Sequence, residues 1–140
     1  MDQQRLEAVR HFLIEETEKD EKGRVYVYEL SDAYYWWARL NRRPVMGHNN
    51  FSRCMLTLGY KKKWYGPPDN ITCWVGIRMR DRGPRSWENE AGPYLMEFLN
   101  EHAKGGESLE ELLLAYYRWA EKDRKPILTW KDAVAFIERK

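Results

Sequence analysis

Apolar positions first appear at helical spacing near the N-terminus, where Leu6, Val9 and Leu13 fall on one stripe with Phe12 beside them. Polar residues follow as far as Gly23, and Arg24 to Tyr28 then alternates in the β-prone manner of a short strand. Leu30, Ala33, Tyr34 and Trp37 stand at i, i+3, i+4 and i+7, which predicts a second helix with one buried face. Pro44 closes the turn after it, because proline cannot continue a helix and biases the residue before it away from helical angles. Phe51, Met55 and Leu58 predict a third helix, with Gly59 as its stop. Tyr60–Tyr65 and Ile71–Met79 read as two strands joined by the turn Gly66-Pro67-Pro68-Asp69-Asn70.

The pattern then repeats. At an offset of 82, Ala33, Tyr34, Tyr35, Trp37, Ala38, Arg42 and Pro44 recur as Ala115, Tyr116, Tyr117, Trp119, Ala120, Arg124 and Pro126. Val45, Met46 and Met55 keep their apolar character as Ile127, Leu128 and Ile137. Upstream, Val9, Phe12 and Leu13 match Leu95, Phe98 and Leu99 at an offset of 86, and a loop absorbs the difference. In the second copy Thr129 and Asp132 resemble a capping pair, and Ala133, Phe136 and Ile137 are expected to face inward.

The expected fold is mainly α with a β component (α+β). Helix, strand, helix, turn, helix and hairpin make the first copy a winged helix with the hairpin as its wing. The second copy is a three-helix, wingless helix-turn-helix, so the whole is a tandem arrangement. The boundaries are 1–82 for the first domain, 83–91 for a linker from which Trp87 folds back onto a domain, and 92–140 for the second domain.

Charge adds a partner to this picture. Residues 1–83 carry 15 basic and 11 acidic side chains, and residues 84–140 carry 9 and 11, within a net charge of +2. From Ala33 to Pro68 there are seven cations (Arg39, Arg42, Arg43, Arg53, Lys61, Lys62 and Lys63) and no acid. One sign over such a stretch attracts polyanions. A solvated basic face without a ligand accounts for the charge equally well.

Other classes find little support. Cys54 and Cys73, with His11, His48 and His102 scattered, make neither a disulfide framework nor a metal motif, so two buried free thiols are expected, with no metal and no cofactor. No nucleophile–base–orienter set is present, Ser31-Asp32 included, so no catalytic residue and no enzyme is expected. No apolar run approaches the roughly 18 residues of a membrane span, and the N-terminus lacks a basic start followed by an apolar stretch. A cytoplasmic protein without membrane contact is the expectation.

Glu29-Leu30, Ala33-Tyr34, Trp37, Pro44, Phe51, Met55, Gly59 and the hairpin reaching Gly76-Ile77-Arg78 carry a resemblance. Over roughly residues 6–80, and again over 92–138, the chain resembles the small winged-helix domain at the C-terminus of phage, plasmid and poxvirus-type primase–helicases. The resemblance implies nucleic-acid binding in the replication or regulation of a mobile element. It does not imply a primase, since the chain holds neither a Gly-rich phosphate loop nor a paired acidic motif for magnesium. It departs from that family at Gly47, where a Ser or Thr commonly caps the third helix.

On this plan the third helix enters the major groove and the wing follows the backbone. His48, Asn49, Ser52 and Arg53 are expected on its outward face, where Arg suits guanine and Asn suits adenine. Arg42 and Arg43 in the turn, Lys61, Lys62 and Lys63 on the first wing strand, and Arg78 and Arg80 after the second supply phosphate contacts. Alternation puts Lys61 and Lys63 on one face of the strand and Lys62 on the other. Lysines also protect an edge strand, which is the rival reading of the three. Trp36, Trp64 and Tyr65 are candidate stacking platforms, so duplex is favoured over single strand without excluding it. The second copy, net acidic, is expected to self-associate or to dock a helicase or other replication protein. The competing function is a protein-interaction module that docks a host or replisome protein.

Overall fold

The computed structural model describes residues 2–81 and 85–139. Six α-helices and one three-stranded antiparallel sheet form among them, so the protein is α+β. The chain divides into two compact units, residues 1–80 and 81–140.

The first unit runs α1 (Gln3–Glu16), β1 (Thr17–Tyr26), α2 (Val27–Leu40), α3 (His48–Thr57), β2 (Lys61–Tyr65) and β3 (Ile71–Met79). The Asp2 side chain caps α1 by accepting from the Gln4 amide at 2.9 Å. The helix ends where Thr17 turns extended, its hydroxyl donating to the Leu13 carbonyl at 2.6 Å. Phe12 meets Tyr34, Trp37 and Phe51 edge to face, with ring centroids 5.4, 5.6 and 6.2 Å apart. Burying such side chains contributes roughly 1.5–3 kcal/mol each, so this cluster anchors α1, α2 and α3 to one another.

β1 departs from expectation. It spans ten residues instead of five, and Val27 and Tyr28 belong to α2. The sheet order is β1-β3-β2. Thr17, Glu18 and Lys19 pair with Met79, Arg78 and Ile77; after a bulge, Arg24, Val25 and Tyr26 pair with Val75, Trp74 and Cys73. Backbone pairing is indifferent to side-chain polarity, so the charged run 17–23 becomes a strand because β3 lies beside it. Gly23 sits inside the bulge, where an added Cβ would meet the Ile77 carbonyl oxygen at 2.5 Å.

The second unit contains a 3-10 turn (Ser86–Glu90), α4 (Gly92–His102), α5 (Leu109–Lys122) and α6 (Trp130–Glu138), with no strand among its described residues. Residues 85–91, read above as linker, contribute Arg85, Trp87, Glu88 and Ala91 to the buried set; Arg82, Gly83 and Pro84 lie outside the described residues. The start of α5 follows that of α2 by 82 residues, and α6 follows α3 by the same interval. Phe98 meets Tyr116 and Trp119 at 5.8 and 5.5 Å, as Phe12 meets Tyr34 and Trp37. Thr129 precedes α6 and donates to Asp132 at 2.8 Å. Ala133 is buried there, while Phe136 and Ile137 are only half-buried.

The turn after the second helix is the same in both units. The Arg43 amide donates to Ala38 and the Lys125 amide to Ala120, both at 2.9 Å. Arg42 donates to Arg39 at 3.4 Å and Arg124 to Glu121 at 3.2 Å. The cation after each left-handed residue lies over the helix tryptophan: Arg43 is 5.9 Å from the Trp37 ring and Lys125 is 4.0 Å from that of Trp119.

Candidate nucleic-acid interface

The face of α3 turned to solvent is narrower than its periodicity suggests. Phe51, Ser52, Cys54 and Met55 are buried, because the helix packs against both α1 and α2. Ser52, expected outside, is therefore inside, its hydroxyl without a hydrogen-bond partner among the described residues. His48 is half-buried, its Nδ1 3.0 Å from the Ser31 hydroxyl on α2. Leu58, expected inside, is half-buried. Asn49 and Arg53 remain exposed, with Leu56 and Thr57 further along. Gly47 precedes the helix without a side-chain cap, and Gly59, at φ 97°, follows its last turn in the left-handed region as expected.

Turn residues divide by role. Arg42 is exposed in the left-handed conformation, at φ 53°. Arg43 is occupied, with a guanidinium nitrogen 2.9 Å from His11 Nδ1 besides its position over Trp37. The Tyr34 hydroxyl donates to the Pro44 carbonyl at 2.6 Å, tying α2 to the approach to α3. Burial pushes its pKa up to about 12, so it stays a donor at any ordinary pH.

On the hairpin, Lys61, Lys62 and Lys63 are all exposed. Lys62 pairs with Trp74 across the strands, and its ammonium lies 5.1 Å from that ring. Trp64, on the same face of the strand as Lys62, is 58% exposed. Tyr65 is half-buried, with Arg24 4.5 Å and Lys63 5.1 Å from its ring. Periodicity did not single out Arg24; its only signal was its place opposite Val25 in the alternation.

Arg78 and Arg80 do not join the others as open cations. Arg78 pairs with Glu18 and lies 3.6 Å from Asp20, and Arg80 is 3.6 Å from Glu18 and donates to the Ile14 carbonyl at 3.0 Å. The cause is the extension of β1, which sets Glu18 opposite Arg78. Trp36 is half-buried, with Arg39 5.4 Å from its ring and its indole nitrogen buried without a partner among the described residues. It is not a protruding platform.

What remains is a set of five exposed cations. Among the described residues Arg42, Arg53, Lys61, Lys62 and Lys63 make no ion pair with a carboxylate, and they follow one another through the turn, α3 and β2. Cys54 and Cys73 are free and buried. Burial raises both thiols, Cys73 to about 11, so neither supplies a thiolate at neutral pH. Among the described residues no helix is long and apolar enough to cross a membrane. Compared with known proteins, the chain matches no family model, no curated protein and no solved structure.

Proposed function

We infer that this protein binds DNA without catalysing a reaction, as an accessory or regulator of mobile-element replication, through the basic side of residues 1–80. The observation that carries the reading is the set of five cations without carboxylate partners on three successive elements. The order α-β-α-α-β-β and the strand order β1-β3-β2 support a winged-helix reading of this unit, and the repeated turn supports residues 92–140 as its wingless copy. The resemblance to primase–helicase winged-helix domains supplies the biological setting.

In this reading α3 enters the major groove of a duplex. Arg53 pairs with guanine and Asn49 with adenine, while Arg42, Lys61, Lys62 and Lys63 neutralise phosphates. Arg43, His48 and Ser52 shape the element from within, and Arg78 and Arg80 hold the sheet together. The second unit acts without DNA contact of its own, by self-association or by docking a replication protein.

A charge-reversal pair tests the assignment. Arg53→Glu combined with Lys63→Glu abolishes duplex binding in an anisotropy titration, while Arg78→Gln weakens it by less than about threefold beyond its effect on folding. Equal losses from both would contradict it.

A second reading has one observation in its favour. Tyr35, Leu40 and Val45, on α2 and the turn after it, are exposed, with Tyr35 carrying Arg39 at 5.5 Å from its ring. Tyrosine and arginine dominate protein-binding hot spots, so this surface suits a docked protein. Retained partner capture by a variant that has lost DNA binding would favour it.

A further inference from the structure

Two of the cations assigned to duplex phosphates, Lys61 and Lys63, also lie on a basic face of the sheet. Register sets Arg24, Val75 and Lys61 in one row across β1, β3 and β2, and Tyr26, Cys73 and Lys63 in the next. Tyr65, two residues beyond Lys63 on β2, shares that face, whereas Val25 and Trp74 alternate to the opposite one and are buried there. Arg24 crosses from β1 to lie over the Tyr65 ring, and Lys63 approaches the same ring from its own strand. Lys61 and Lys63 are exposed and have no carboxylate partner among the described residues.

We propose that this sheet face binds single-stranded nucleic acid, with Tyr65 stacking an unpaired base and Arg24, Lys61 and Lys63 holding the phosphates on either side. The proposal rests on the DNA-binding reading of the same unit and names a further ligand class for it. A duplex hides the faces of its bases and offers only groove edges and backbone, so a ring set in a sheet has nothing in it to stack on. A single strand presents both base faces, and stacking on an aromatic ring beside cations needs no particular sequence. Arg24 and Lys63 lie over the Tyr65 ring in the free protein, so a base that stacks there displaces them onto its flanking phosphates. Stacking does not read the identity of the base, which makes the expected binding tolerant of sequence.

The test uses the full chain, a fluorescein-labelled oligothymidylate and a labelled random duplex, titrated in parallel by anisotropy. Tyr65→Leu is expected to weaken oligothymidylate binding by about tenfold or more and to leave duplex binding within about twofold. Tyr65→Phe is expected to retain both, and Arg53→Ala to show the converse selectivity. Should Tyr65→Leu fail to fold by circular dichroism, Arg24→Gln replaces it, and the single strand must then lose more affinity than the duplex. Wild-type protein that binds duplex but not oligothymidylate overturns this site alone, as does unchanged oligothymidylate binding by Tyr65→Leu. Wild-type protein that binds neither probe overturns the DNA reading and this site with it.

Discussion

Arg42 and Arg124, 82 residues apart, adopt one backbone conformation, with φ of 53° and 55°. Each terminates the second helix of its unit in the left-handed region, where a side chain costs roughly 1–2 kcal/mol. Glycine avoids that cost but loses more entropy on folding. Arg124→Gly and Arg42→Gly are therefore expected to stabilise the protein by up to about 1 kcal/mol in chemical denaturation. Only Arg42→Gly should weaken duplex binding. Destabilisation by both would mean that the arginine side chains hold the turn.

Gly23 and Ile77 make a tighter constraint. A methyl group at Gly23 would stand 2.5 Å from the Ile77 carbonyl oxygen, which is backbone and cannot move aside without opening the bulge. Gly23→Ala should destabilise the first unit by about 1–3 kcal/mol. Because the bulge holds Glu18 beside Arg78, the same variant should release Arg78 from its partner.

In the second unit, buried Arg85 and Glu88 cluster with half-buried Asp132. Arg85 lies 3.8 Å from Glu88 and 3.9 Å from Asp132. Burial, with the Asp132 carboxyl beside it, pushes Glu88 up to about 9 against the attraction of Arg85. A carboxyl raised on folding from an ordinary 4.5 binds its proton in the native state across neutral pH. Its stabilising contribution is complete below the unfolded value and is lost as pH rises towards 9. Thermal melts should therefore fall in midpoint between about pH 5 and pH 9, and Glu88→Gln should flatten that slope. A midpoint that rises over this range in the wild type and in Glu88→Gln alike would contradict the assignment.

Cys54 and Cys73 give an independent check on the packing of the first unit. Both thiols are buried and raised, so the native chain should react with a thiol reagent at neutral pH far more slowly than the denatured chain, which should show two. Fast labelling of Cys73 would show that the long side chains around it do not cover it.

The repeat was readable because its residues are local and chemically distinctive. Ala33, Tyr34 and Trp37 announce a helix face by spacing alone, and their partners at Ala115, Tyr116 and Trp119 sit in the matching helix. The N-terminal half of β1 was not readable, since Thr17 to Gly23 has no apolar alternation and owes its conformation to β3, distant in sequence. That omission concealed Glu18 and Asp20, and so left Arg78 and Arg80 looking open when they are paired. Ser52 escaped for a different reason. A helix packed on two neighbours buries a wider arc than one apolar stripe, and a serine can lie within it. The left-handed turn residues carried no signal either, because arginine stands where glycine usually marks that conformation.

The salt dependence of duplex binding tests the central claim most directly. With Arg53 on a base, the other four open cations make four phosphate contacts and give a slope of log affinity against log salt near −4, on the order of 0.9 per contact. Removing Lys61 and Lys63 should reduce that slope by about 2. Binding that is absent at low salt, or that persists with a slope near zero, would contradict the account and leave a protein-docking module in its place.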